Sequence, residues 1–73
     1  MRQTEIISLL PGEEYIRLDD AIKSAGFTET GGQAKVIIQA GKVLLNGEVC
    51  TMRGKKLRSG DRAEYEGSVL EVR

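Results

Sequence analysis

The dipeptide Asn46-Gly47, set between Lys42-Val43-Leu44-Leu45 and Glu48-Val49-Cys50-Thr51, constrains this chain more than any other stretch. Both central positions of a type I′ turn need positive φ, which Asn tolerates and Gly adopts freely, so the flanks are predicted to fold back on each other as an antiparallel hairpin. Upstream the hydrophobic period is helical. Leu18, Ala21, Ile22 and Ala25 fall on one face, while Asp19, Asp20 and Lys23 fall away from it. The two aspartates occupy the first turn, where the helix dipole favours negative charge, and Gly26 stands where a C-terminal cap belongs.

A second helix is predicted from the N-cap Thr30 through Gln39, ended by Gly41. Ala34, Ile37 and Ile38 centre its apolar face, Val36 and Ala40 widen it, and Lys35, Gln39 and Lys42 form a narrow polar stripe. The helix therefore reads as mostly buried. At the N-terminal end, Ile6, Ile7, Leu9 and Leu10 suggest a short strand, Pro11-Gly12 a turn, and Tyr15 a second extended piece. Gly67-Ser68 marks a second two-residue turn, which would set Tyr65 opposite Leu70 and Ala63 opposite Val72, with Glu64, Glu66 and Glu71 on an acidic outer surface. The reading is one α+β domain over residues 1–73, two helices packed on one face of a small antiparallel sheet.

Seventy-three residues bury only about 60% of the surface that the unfolded chain exposes, so the core must be compact and there is no room for a separate catalytic domain. No apolar run approaches the roughly 18 residues that span a bilayer, and Met-Arg-Gln-Thr-Glu lacks the apolar core of a secretory signal. A cytoplasmic protein without a membrane partner is expected. The single Cys50 agrees with a reducing compartment, and with no His anywhere to serve as its base it reads as a small buried or half-buried strand residue.

Eleven basic and eleven acidic residues cancel, yet they are segregated. Residues 1–22 hold two cations against five anions; residues 23–62 hold Lys23, Lys35, Lys42, Arg53, Lys55, Lys56, Arg58 and Arg62 against Glu29, Glu48 and Asp61. Four of those cations fall within Arg53 to Arg58. A positive helix-and-hairpin platform on an otherwise acidic chain is how a module for a polyanion is built.

The ordered pieces resemble the S-four RNA-binding domain, named for small-subunit ribosomal protein four. That family pattern has a leucine-rich first helix, Ser-Arg-x-x-Ala at the start of the second, an apolar position, Gly-x-Val-x-Val-Asn-Gly, and an apolar residue shortly before Gly-Asp. The corresponding segments are Leu18 to Ile22, Thr30-Gly31-Gly32-Gln33-Ala34-Lys35, Ile38, Gly41 to Gly47, and Leu57-Arg58-Ser59-Gly60-Asp61, spanning about residues 15–66. The resemblance implies a helical hairpin on a short sheet that docks onto structured RNA, ribosomal RNA or a ribosome assembly intermediate, as a small stand-alone bacterial member of the family. One departure stands out: Gly31 replaces the family's arginine.

Candidate contacts follow. Lys35 and Lys42 lie on the polar stripe at positions often basic in the family, and Arg53, Lys55, Lys56 and Arg58 form, by composition, a mobile loop suited to phosphate. Gly31 and Gly32 offer bare amides to a phosphate at a helix N-terminus, although a tight start to the helix explains them more simply. With Phe27 and Tyr65 assigned to the core, the chain lacks the stacking rings of single-strand binders, so shape and phosphate are expected to dominate over base reading.

Catalysis is not expected. There is no His, no Walker-type glycine spacing, and the carboxylate pairs Glu13-Glu14 and Asp19-Asp20 are adjacent in sequence, so on a helix they do not face one another. No cofactor, metal or small-molecule substrate is implied, and a monomer is expected. A protein-binding adaptor that uses the sheet edge or the acidic face is the alternative, favoured by zero net charge and the missing arginine. A ubiquitin-like sulfur carrier would need Gly-Gly where Val72-Arg73 stands.

Overall fold

The computed structural model describes residues 4–73. In chain order the elements are β1 (Thr4–Ile7), β2 (Ile16–Arg17), α1 (Leu18–Ser24), α2 (Gly31–Gln39), β3 (Leu44–Leu45), β4 (Glu48–Val49), β5 (Lys56–Leu57), β6 (Arg62–Tyr65) and β7 (Ser68–Val72). Five strands form one sheet in the order β1-β7-β6-β3-β4, and β2 pairs with β5 in a separate two-stranded ribbon. The two helices pack on each other and on one face of the larger sheet. Leu18, Ala21 and Ile22 of α1, Ala34 and Ile38 of α2, and Val43, Leu57, Ala63, Leu70 and Val72 make a fully enclosed core.

The first hairpin turn has the backbone that its residues favour. Asn46 and Gly47 sit at φ 51 and 88, as a type I′ turn requires. Its side chain also reaches outside the turn: Asn46 Oδ1 accepts from Arg62 N (3.0 Å) and Nδ2 donates to Asp61 Oδ1 (3.1 Å). The Asn of one motif and the Asp of the other are thus bonded directly. Asp61 Oδ2 in turn accepts from Arg58 N at 2.7 Å, which closes the turn after β5.

The sheet departs from expectation in three respects. It is mixed, because β1 runs parallel to β7, and the backbone closes that edge with Arg73 N donating to Ile7 O and Leu9 N to Arg73 O. The second hairpin turns on Glu66-Gly67 (φ 50 and 80) instead of Gly67-Ser68, so Ala63 pairs with Leu70 and Tyr65 with Ser68. That slip of two positions keeps every side chain on its expected face. The outer surface is also not purely acidic: Val69, 5% exposed, and Leu44 alternate onto it with Glu64, and Arg62 stands opposite Glu71.

On α2 the apolar face is narrower than its sequence suggests. Ala34 and Ile38 are buried and Ile37 half-buried, but Val36 is 66% exposed and Ala40 is open to solvent. Only the centre of the predicted face is covered.

Candidate nucleic-acid interface

The basic segment is held by the backbone and not left as a mobile loop. Helix α1 has no N-cap side chain, since Arg17 occupies that position. Its first two amides are instead taken by carbonyls of the basic segment: Leu18 N donates to Lys55 O (2.8 Å) and Asp19 N to Arg53 O (3.0 Å). Lys55 N donates to Met52 O, and Lys56-Leu57 then pairs with Ile16-Arg17 in the ribbon. Helix ends leave their first amides unsatisfied, and this segment resolves that deficit while turning its charged side chains outward. We refer to residues 53–58 as the strap.

Asp19 lies beneath it and is 9% exposed, not on an open polar face as its helical position suggests. Its Oδ2 pairs with Arg17 at 3.2 Å and its Oδ1 accepts from Asp20 N at 2.8 Å. The Arg17 guanidinium extends over Gly54, where an added Cβ would stand 3.6 Å from a terminal nitrogen.

Ribbon register decides what the strap presents. Ile16 faces Leu57 and both point inward, Leu57 fully buried and Ile16 half-buried. Side chains alternate along a strand, so the outward positions hold Arg17 opposite Lys56 and, one step further in the same register, Tyr15 beside Arg58. Lys56 Nζ lies 4.8 Å and the Arg58 guanidinium carbon 5.9 Å from the Tyr15 ring centroid, and the ring remains 39% exposed. Contacts of this kind are electrostatically attractive.

On α2, Thr30 completes a capping box: its hydroxyl accepts from Gln33 N, and Gln33 Oε1 accepts from Thr30 N and from Glu29 N. The amides of Gly31 and Gly32 have no acceptor among the described residues. Neither glycine has positive φ; a Cβ on Gly31 would meet nothing within 4 Å, and one on Gly32 only Thr30 Oγ1 at 3.8 Å. The simpler explanation from sequence, a tight helix start, therefore has no steric or backbone basis. Lys35 is exposed on α2, but Lys42 lies past the end of the helix, beyond the C-cap Ala40 and the left-handed Gly41 (φ 76), so it is exposed without continuing the helical stripe expected from sequence.

The structure brings Arg53, Lys55, Lys56 and Arg58 onto one strap. It sets Lys42 next to Val43, whose carbonyl accepts from Cys50 N at the head of the segment leading into that strap. Gly31, Gly32 and Lys35 are carried by α2, and among the described residues no hydrogen bond or ion pair joins them to the strap. Ion pairs among the described residues are Arg17–Asp19 and Arg73–Glu71. The six candidate cations are therefore free of carboxylate partners among those residues.

This arrangement can be set beside known proteins. The S4 domain model matches residues 9–73. The chain belongs to the S4 domain family. S4-domain relatives include "Putative RNA-binding protein YbcJ" of Escherichia coli, 33% identical over 58 residues that cover 80% of this chain and 83% of that protein. "Probable ribosome maturation protein RlbA" of Bacillus subtilis is 41% identical over 54 residues, covering 74% and 76% respectively. "Hemolysin A" of Brachyspira hyodysenteriae is 39% identical over 57 residues, which are 78% of this chain but 24% of that longer protein.

Two residues of this S4 surface were missed by reading the sequence: Arg17 and Tyr15. The signal was present. Tyr15-Ile16-Arg17 and Lys56-Leu57-Arg58 are matched triplets with an apolar centre between polar flanks. Each is too short to announce a strand alone, and only their pairing shows that all four flanking residues share a face.

Proposed function

We propose that this S4-domain protein is a non-catalytic RNA-binding protein of the cytoplasm that engages structured RNA, ribosomal RNA or a ribosome assembly intermediate, through phosphate and shape. The observation that carries the reading is the backbone-anchored strap, whose Arg53, Lys55, Lys56 and Arg58 stand outward without carboxylate partners among the described residues. Such cations displace counterions from an RNA backbone at little ordering cost, because their main chain is already held. Lys35, Lys42 and the open amides of Gly31 and Gly32 extend the proposed contact along α2. The names of two relatives, one after RNA binding and one after ribosome maturation, support the same reading.

A salt titration of binding to a structured ribosomal RNA fragment tests it. Replacing Lys55 and Lys56 with Ala should lower the slope of log K against log salt by about 1 for each lost phosphate contact. An unchanged slope and affinity would remove the strap from the interface. Protein partners that survive nuclease digestion, with no RNA bound, would favour an adaptor instead.

A further inference from the structure

Tyr15 is the aromatic residue that the fold leaves at the surface, and it stands among Arg17, Lys56 and Arg58 on the outward side of the β2–β5 ribbon. We infer that this tyrosine and its flanking cations form a stacking site for one unpaired nucleotide, so that the RNA bound is a duplex interrupted by a bulged or flipped-out base. The inference rests on the RNA-binding reading and specifies which RNA feature the strap recognises.

Three observations carry it. The ring is 39% exposed although the inward neighbours of the ribbon, Ile16 and Leu57, are covered, so the core does not require an aromatic at this position. Its place is set by the pairing of the adjacent Ile16 and Arg17 with β5, and the Leu18 N to Lys55 O bond ties that ribbon to α1. A stacking ring that is already ordered loses little entropy when a base lands on it. Finally, charge is distributed asymmetrically about the ring. Lys56 and Arg58 approach it from one strand, whereas the hollow beside it is bordered by three carboxylates, Glu13, Glu14 and Asp20, against the one cation Arg17, which is itself paired with Asp19. Cations suit the phosphates that flank a nucleotide; carboxylates repel phosphate but accept the N–H groups of a base edge. The base is thereby directed into the hollow and its backbone over the strap. Base stacking on aromatic rings is tolerant of sequence, which fits an interface otherwise built for phosphate and shape.

The test uses fluorescence anisotropy with three RNA hairpins of identical stem: one fully paired, one with a single bulged adenosine, and one with an abasic bulge. Wild-type protein should bind the adenosine bulge about 10-fold more tightly than the paired stem, the scale of one base–aromatic stack, and the abasic bulge no better than the paired stem. Tyr15→Ala should abolish the preference while leaving the paired stem within about 2-fold. Tyr15→Phe should retain it, and Lys56→Ala should weaken all three RNAs alike. Equal wild-type binding to all three, still weakened by Lys55→Ala with Lys56→Ala, overturns the stacking site and spares the proposed function. Failure to bind any of the three overturns both.

Discussion

The strap and the stripe of α2 carry the same kind of charge on different foundations. Residues 53–58 cap α1 with two carbonyls, pair with β2 as a ribbon and close on Asp61, so the main chain beneath Arg53, Lys55, Lys56 and Arg58 is bonded repeatedly. Lys35 projects from the solvated side of α2, where its neighbour Val36 is itself 66% exposed, and Lys42 stands just past the end of that helix. Both main chains are held, the strap by capping and cross-strand bonds and α2 by its own helical ladder, so what separates them is density: four outward cations within six residues on the strap against Lys35 and Lys42 standing apart. Equal charges along the sequence should therefore contribute unequally to RNA affinity.

The largest expected effects come from cutting the foundation itself. Leu57→Ala removes the buried side chain that ties the ribbon to the core and should cost about 2–5 kcal/mol in urea denaturation. Ile38→Ala, equally buried beneath the stripe, should cost a similar amount by the same general rule. If Leu57→Ala left both stability and RNA affinity intact, the strap would not depend on the core. Next is Asp19→Ala, which leaves Arg17 without its carboxylate and Asp20 N without an acceptor, for a loss of about 1–3 kcal/mol by thermal or urea melting. RNA affinity should fall with it, because Asp19 supports the Arg17 side that lies over Gly54.

A direct comparison of the regions is smaller in energy and sharper in meaning. Lys55→Ala with Lys56→Ala should reduce the salt slope by about 2, and Lys35→Ala with Lys42→Ala by less. Equal reductions would show that clustering on the strap does not govern the contribution of a cation here. The smallest effect is a gain. Gly31→Arg restores a cation at a position with helical backbone and nothing within 4 Å of its Cβ, and should raise the slope by about 1 at unchanged melting temperature. No gain would place the start of α2 outside the RNA contact.

Much of the architecture was legible locally. Thr30 with Gln33 three residues later specified the capping box, Asn46-Gly47 the type I′ turn, and the spacing of Leu18, Ala21 and Ile22 the buried face of α1. The shortfalls share a cause. Gly67-Ser68 and Glu66-Gly67 are both plausible turn pairs by composition, and cross-strand packing of Ala63 on Leu70 selects the second. Asp19 looked solvated because helical period places it away from the apolar face, yet a strap from more than thirty positions downstream covers it. The parallel β1–β7 pairing has no short-range signature at all.

For the candidate site, residue type and charge segregation identified the eight proposed contacts, but their grouping was not visible. Sequence by itself determined the two helices, the capping box of α2 and the Asn46-Gly47 turn, because those follow from φ preferences and apolar spacing within a few residues, and its ordered motifs carried the resemblance to the family. Tertiary structure alone decided that the basic segment is a strap and not a loop, and that Tyr15 and Arg17 belong beside Lys56 and Arg58. The physical reason is that α1 lacks a side-chain cap, and its unsatisfied amides find their acceptors only when a distant segment folds across them.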